Sequence, residues 1–253
     1  MPIRNKDLVQ YLDKLLMADK INDYSPNGLQ VEGKQQVKKI VTGVTASEAL
    51  IDAAIAQQAD AILVHHGYFW KGEKQTITGL KKSRLAKLLR HDINLLAYHL
   101  PIDVHHELGN NQQLATKLGI VEIEAVESVK PIGVLMKGKF KPSITALELS
   151  DLITDKLDRT PLVNSDRNEN INTIAWCTGG GQGYIDIAAE LGCDAFLTGE
   201  ASEQTIHSSR EYNIDFFAAG HHATERYGVK AVGEHLAKQF ELDVEFIDIH
   251  NPV

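Results

Sequence analysis

Ala61-Ile62-Leu63-Val64-His65-His66-Gly67 is the stretch on which the reading of the fold turns. Four apolar residues in a row, bounded by polar ones, suit a strand covered on both faces, as in parallel sheets. The run then meets two imidazoles and a glycine, the residue that most readily lets a chain leave a strand. Upstream, Lys39 to Val44 predicts a strand, and Ser47 through Gln58 an Ala-rich helix with Ser47 as its cap. Downstream come a predicted helix from Lys81 to Arg90, an apolar strand from Ile93 to Tyr98, and a helix carrying Leu114 and Leu118. Leu8, Leu12, Leu15 and Leu16 fall at helical spacing, and Pro26-Asn27-Gly28 is a turn signal closing that opening helix. Strands alternating with helices predict an α/β fold with largely parallel sheets.

The second half repeats the plan. Ile51-Asp52-Ala53-Ala54 and Asp60-Ala61-Ile62-Leu63 are echoed by Ile185-Asp186-Ile187-Ala188 and Asp194-Ala195-Phe196-Leu197, at a constant offset of 134. Ile93-Asn94-Leu95-Leu96-Ala97 returns as Ile214-Asp215-Phe216-Phe217-Ala218. A histidine follows each of these last strands, with an acid four residues later: His99 and Asp103, then His221 and Glu225. The order predicts two similar α/β halves from an internal duplication, mostly parallel sheets flanked by helices. Their expected bounds are 1–127 and 128–253, with a non-repeating insertion over 128–172. In that insertion Val129 to Lys141 suggests edge strands or a hairpin, Ser143 to Leu157 a helix capped by Ser143, and Asn164 to Asn172 a loop.

The 253 residues include 26 Lys and Arg against 34 Asp and Glu, a net charge of −8 that disfavours a general binder of nucleic-acid backbones. No apolar run approaches the roughly 20 residues of a membrane span. Met1 to Lys20 mixes charges throughout and does not read as a secretory signal. Two cysteines, Cys177 and Cys193, make no disulfide framework and read as small buried residues, so a cytoplasmic location is expected. Histidine is the unusual component: there are 11, six of them in the doublets His65-His66, His105-His106 and His221-His222.

Ligands of open parallel sheets bind beyond the carboxyl ends of the strands. That rule selects His65-His66, His99 to Asp103, Thr198-Gly199-Glu200 and His221 to Glu225. A donor set of imidazole and carboxylate without thiolate suits divalent zinc, iron, manganese, nickel or cobalt. His65, His66, Asp103, His221 and Glu225 are too many donors for one catalytic zinc, which keeps three protein ligands and an open position. They suit two ions sharing a carboxylate. Each group also has a plainer reading. Neighbouring histidines on a regular strand point to opposite faces, His221 and Glu225 could be a surface pair on a helix, and Pro101 biases Leu100 away from helix. What joins the groups is their common position at strand ends. Gly179-Gly180-Gly181-Gln182-Gly183 lacks the Lys-Ser/Thr of a P-loop and reads as tight strand-to-helix packing. Tyr68-Phe69-Trp70 could wall a pocket, stack on a heterocycle or pack in a core. His105 and His106 read as solvated, and His207, His235 and His250 have no evident partner.

Asn27-Gly28-Leu29-Gln30-Val31-Glu32-Gly33, Val64-His65-His66-Gly67, the His99 to Asp103 segment and Gly220-His221-His222-Ala223-Thr224-Glu225 together resemble the Nif3-like dinuclear metal centre family, the GTP cyclohydrolase 1 type 2 homologues. The resemblance runs from the first helix to the last strand. It implies that His65, His66, Asp103, His221 and Glu225 hold two divalent metal ions, with Glu225 bridging. It further implies a toroidal homohexamer built as a trimer of dimers. The activity attached to it is that of a metal-dependent hydrolase of the GTP cyclohydrolase I type, opening the purine ring with release of formate. A reaction of that kind needs groups that move protons to the ring nitrogens. His99 and Glu200 are the candidate catalytic residues, since both end strands at the expected site and neither is needed as a ligand. No basic cluster for a triphosphate stands out. Two other functions stay open: a metal-dependent phosphoesterase or nuclease linked to DNA repair, and a non-enzymatic metal-binding regulatory or interaction protein.

Overall fold

The computed structural model describes residues 2–253, which divide into two compact units. The first holds residues up to Leu108 together with Gly228–His250; the second holds Gly109–Tyr227 and Asn251–Val253.

In the first unit the elements are β1 (Ile3–Arg4), α1 (Asn5–Leu15), β2 (Gly28–Val31), β3 (Gln36–Val37), β4 (Lys39–Thr45), α2 (Glu48–Ala56), β5 (Ala61–His66), α3 (Gly79–Arg90), β6 (Asn94–Ala97) and α4 (Leu100–Val104). The second unit contains α5 (Asn110–Leu118), β7 (Val121–Ala125), β8 (Met136–Ile144), α6 (Ala146–Leu157), β9 (Leu162–Asn164), β10 (Ile171–Cys177), α7 (Ile185–Glu190), β11 (Ala195–Thr198), α8 (Glu203–Tyr212) and β12 (Asp215–Ala218). Helix α9 (His221–Phe240) begins in the second unit and continues in the first, where β13 (Asp243–Phe246) is the last strand.

The first sheet has the order β13-β4-β5-β6-β2, with β13, β4, β5 and β6 parallel and β2 antiparallel. The run Ala61 to Val64 lies inside it and is apolar on both faces for a visible reason. Ile62 and Val64 pack with Leu50, Ile51 and Ala54 of α2 and Leu85 and Leu88 of α3. Ala61 and Leu63 pack instead with Leu8, Leu12 and Leu16 near α1 and with Val229, Val232 and Leu236 of α9. Each fully buried Leu or Ile contributes about 1.5–3 kcal/mol, so the alternation holds the strand in register from both sides. Ser47 caps α2 by accepting from the Leu50 amide.

The second sheet runs β7-β8-β10-β11-β12-β9, with β10, β11 and β12 parallel and the other three antiparallel to their neighbours. The duplication is visible residue by residue. Ile40 pairs with Ala61 and Ile174 with Ala195; Val64 pairs with Ala97 and Thr198 with Ala218. Even a strand that the sequence concealed is repeated, since Gly28 faces Ala97 and Leu162 faces Ala218. Asp60 accepts from the Lys38 and Lys39 amides, and Asp194 accepts from the Asn172 and Thr173 amides at the matching corner.

Three expectations change. The units divide at Leu108–Gly109 rather than at 127–128, because Leu114, Ala115 and Leu118 of α5 pack in the second unit's core with Leu149, Ile153 and Trp176. Of the two readings of 129–141, the edge strand fails because β8 lies between β7 and β10, whereas the hairpin holds, since β8 returns antiparallel to β7. Helix α6 is capped by Thr145, not Ser143, because Thr145 and Glu148 close a reciprocal capping box while Ser143 remains in β8. Among the described residues no helix is long and apolar enough to cross a membrane.

Candidate metal centre

In the first unit β5 outruns its neighbour. Val64 is the last residue paired with β6, whereas His66 is still paired with Thr45 of β4. The two histidines therefore end the strand beyond its register with β6. Gly67 is required directly after them, since a Cβ there would fall 2.3 Å from Gln30 Oε1. Gln30 uses that close approach to hold the turn: its Oε1 accepts from the Tyr68 amide at 2.6 Å and its Nε2 donates to the Tyr68 carbonyl at 3.0 Å.

His65 is fully buried. Its Nδ1 lies 3.2 Å from the Tyr98 carbonyl, an acceptor only, so Nδ1 carries a proton. Nε2 lies 3.5 Å from Oδ1 of Asp103, on the first turn of α4. Pro101 does not prevent that helix, because it occupies the opening positions where no amide proton is needed. His66 Nδ1 lies 3.1 Å from Thr45 Oγ1. The rings of His65 and His66 sit 4.4 Å apart, and the His99 ring lies 5.0 Å from one and 5.7 Å from the other. One donor atom from each of these three imidazoles falls within 4.8 Å of the others. Orientation of an imidazole through its second nitrogen is how proteins prepare a metal ligand.

His99 is held the same way. Its Nδ1 lies 2.8 Å from Oδ1 of Asp23, and its amide donates to Asn27 Oδ1 at 2.8 Å. Asp23 also accepts from the amides of Tyr24 and Leu100 and from Asn27 Nδ2. Burial alone would raise this carboxyl, but the bonds from His99, Asn27 and Tyr24 outweigh it and hold Asp23 below its usual value. Asp23 escaped the sequence reading, and Asn27 and Gln30 entered it only as part of a motif, with no role assigned. The only available signal was their clustering around the Asn27 to Gly33 motif.

In the second unit His221 opens α9 and Glu225 follows one turn later. His221 Nε2 lies 3.2 Å from Glu225 Oε2, and its Nδ1 lies 2.6 Å from Oε1 of Glu200, just beyond β11. Burial pulls the imidazole pKa down, while Glu225 and then Glu200 lift it to about 9. Two carboxylates thus share one cationic ring, a surplus of negative charge suited to a metal cation. The glycine loop after β10 presses against this group. Gly179 has φ +65, and a Cβ there would lie 2.0 Å from Glu225 Oε1 and 3.1 Å from His221 Nε2. Thr224 fixes the approach by accepting from the Gly179 amide at 3.0 Å. Thr198 Oγ1 accepts from the Gly181 amide and donates to the Gly179 carbonyl, so the loop packs rather than cradling a phosphate.

The seven residues singled out from the sequence fall in two groups: in the first unit His65 and His66 end β5 and His99 leads into α4, which carries Asp103; in the second Glu200 follows β11, and His221 and Glu225 lie at the start of α9. The donor chemistry of each group fits a divalent metal. His105 differs from expectation: it is buried, its Nδ1 accepts from the Glu107 and Leu108 amides, and burial lowers its pKa. His106 is exposed. His235 Nε2 lies 2.5 Å from Tyr11 Oη.

Comparison with known proteins agrees with this frame. A Haemophilus influenzae protein named GTP cyclohydrolase 1 type 2 homolog is 57% identical over 251 residues, covering 99% of this chain and 100% of its own. The solved structure of protein ybgI, of unknown function, superposes with a TM-score of 0.96 at 53% identity, over 99% of this chain and 100% of that one. TTHA1606 from Thermus thermophilus gives 0.90 at 36% identity with the same coverage. The model of the Duf34/NIF3 (NGG1p interacting factor 3) family matches residues 3–252. The chain belongs to that family.

Proposed function

We propose that this protein is a metal-dependent hydrolase whose reaction is of the GTP cyclohydrolase I type, opening a purine ring and releasing its C8 as formate. The ligands in this reading are His65, His66, Asp103, His221 and Glu225, holding two divalent ions. When bound, such ions would supply a polarised water and stabilisation of developing negative charge. The observation that carries the reading is the His99–Asp23 pair beside His65 and His66. It is an imidazole with one nitrogen fixed by a buried carboxylate and the other left for a proton, the arrangement of a general acid–base. His99 moves the proton to the ring nitrogen. Glu200, expected from the sequence as a second proton carrier, acts through His221 by fixing its Nδ1. The names of the relatives support the substrate class.

The assembly proposed with this activity is a homohexamer, a trimer of dimers, to be checked by sedimentation against the 28.0 kDa chain mass. The test of the activity is formate release from GTP by protein loaded in turn with zinc, iron, manganese, nickel or cobalt. Glu225→Ala serves as the negative control. Turnover that Glu225→Ala abolishes is the expected result; no formate with any of these metals sinks the reading.

A further inference from the structure

Tyr68, Phe69 and Trp70 follow the His65-His66 pair, and the structure divides them. Tyr68 is buried and donates to the Ala46 carbonyl, and Phe69 packs on the same core. Trp70 does not join them. Its ring stands edge-on to His99 at 4.9 Å and lies 6.0 Å from His66. It is fixed there, with Nε1 donating to the Gly67 carbonyl and the backbone amide to Glu73 Oε2. The turn that delivers it passes through Phe69 at φ 65, a left-handed conformation that costs a non-glycine residue energy and tends to gather at functional sites.

A second aromatic ring reaches the same imidazole from another loop. Tyr24 lies 6.2 Å from His99 yet is 63% exposed. Its loop is tied to that of Trp70, because the Lys71 amide donates to the Tyr24 carbonyl at 2.6 Å. A basic segment, contrary to the expectation that no basic cluster stands out, starts at the same point: residues 71–90 carry seven Lys or Arg and one acid, in a chain whose net charge is −8. Lys81 of that segment pairs with Glu73 and Lys87 with Glu48 and Asp52, whereas Lys71, Lys74 and Lys82 are exposed.

We propose that Tyr24 and Trp70 form a stacking site for a planar heteroaromatic ring at His99, and that Lys71 and Lys74 take the anionic group attached to it. The ligand class is a nucleotide, held by its base first and its phosphate second. The assignment rests on the hydrolase reading only for its choice of guanine as the ring. Aromatic faces accept bases through stacking and dispersion whatever their hydrogen-bonding edges. The cations add an attraction that salt screens.

Calorimetric titration of the metal-loaded protein with GMP, guanosine and ribose 5-phosphate tests the site without turnover. GMP is expected to bind most tightly, guanosine next and ribose 5-phosphate least. Tyr24→Ala and Trp70→Ala each weaken GMP and guanosine alike by about tenfold or more, while Tyr24→Phe and Trp70→Phe retain binding. Lys71→Ala with Lys74→Ala weakens GMP, spares guanosine and flattens the salt dependence. Metal content, measured alongside, stays at the wild-type level in all variants. Ribose 5-phosphate binding as tightly as GMP, or unaltered guanosine binding in Tyr24→Ala and Trp70→Ala, overturns the proposal. Formate release is read separately, so ring binding without formate removes the proposed reaction and leaves this site standing.

Discussion

Oδ1 of Asp23 lies 2.8 Å from Nδ1 of His99, across 76 residues of sequence. The carboxylate is almost wholly shielded, its side chain 2% exposed. Removing it strands the His99 ring nitrogen and the amides of Tyr24 and Leu100. Asp23→Ala is therefore expected to lower stability by about 1–3 kcal/mol, read by urea denaturation. Formate release should fall about 10–100-fold, the range for partners that orient a functional imidazole. Asp23→Asn keeps an acceptor and should recover most of the stability but not the turnover. Equal turnover in Asp23→Asn and wild type would refute the orienting role.

Gly179 stands where no side chain fits. Gly179→Ala would drive a methyl group into Glu225 Oε1, 2.0 Å away, and oblige φ +65 on a residue with a Cβ. The strain should lower stability by about 1–3 kcal/mol. The more telling readout is elemental analysis, which should show less metal per chain than wild type. Gly183→Ala, where a Cβ would meet nothing within 4 Å, should retain full metal content.

In the proposed ligand set His221 would link metal uptake to pH. Its pKa is raised from 6.5 to about 9, so in metal-free protein its charge adds stability fully below pH 6.5. That contribution is lost as pH rises through about 9. Metal requires the neutral ring, so affinity runs the opposite way and rises across the same window by up to about tenfold per pH unit. Competition titration from pH 6 upward should show this slope in wild type and a shallower one in His221→Ala. Identical slopes would contradict the pairing of His221 with Glu225 and Glu200.

Asp60 and Asp194 make the same corner twice. Both are held below the usual carboxylate value: burial raises each, but bonds from Lys34, Lys39 and Lys38 at Asp60, and from Thr173, Asn172 and Arg167 at Asp194, prevail. Each therefore adds stability above its unfolded pKa, lost as pH falls through the lower folded value. Asp60→Ala and Asp194→Ala should each destabilise by about 1–3 kcal/mol at neutral pH. Each variant should also lose less stability than wild type on acidification. Acid unfolding monitored by circular dichroism would check both.

Much of this was legible because parallel strands buried on both faces read as apolar runs, and their ends show where polarity begins. Ala61 to Val64 and its echo Ala195 to Leu197 needed nothing nonlocal to be recognised. Strand β2 did not declare itself, since Pro26-Asn27-Gly28 is a genuine local turn signal and the pairing of Gly28 with Ala97 spans the unit. The cap of α6 was misplaced because Ser143 and Thr145 are both competent; Glu148, three residues after Thr145, was the deciding residue. At the site, donors at strand ends were visible, whereas Asp23, Thr45 and Thr224 act through contacts that only folding creates. His105 looked solvated because its neighbours are polar, yet its ring nitrogen is occupied by two amides of its own turn.

The repeat has one mismatch with a lasting consequence. Tyr98 bonds to Val64 and Ala219 to Thr198, which aligns His99 with Gly220 and Asp103 with Thr224. His221 and Glu225 each stand one residue later, a turn of about 100° around a helix. At the other aligned ends, His65 corresponds to Gly199 and His66 to Glu200. The two copies therefore share a scaffold, but at no aligned pair of these positions do both carry the same donor side chain. Under the proposed ligand set neither half would deputise for the other, and a donor lost from one would have no twin in reserve.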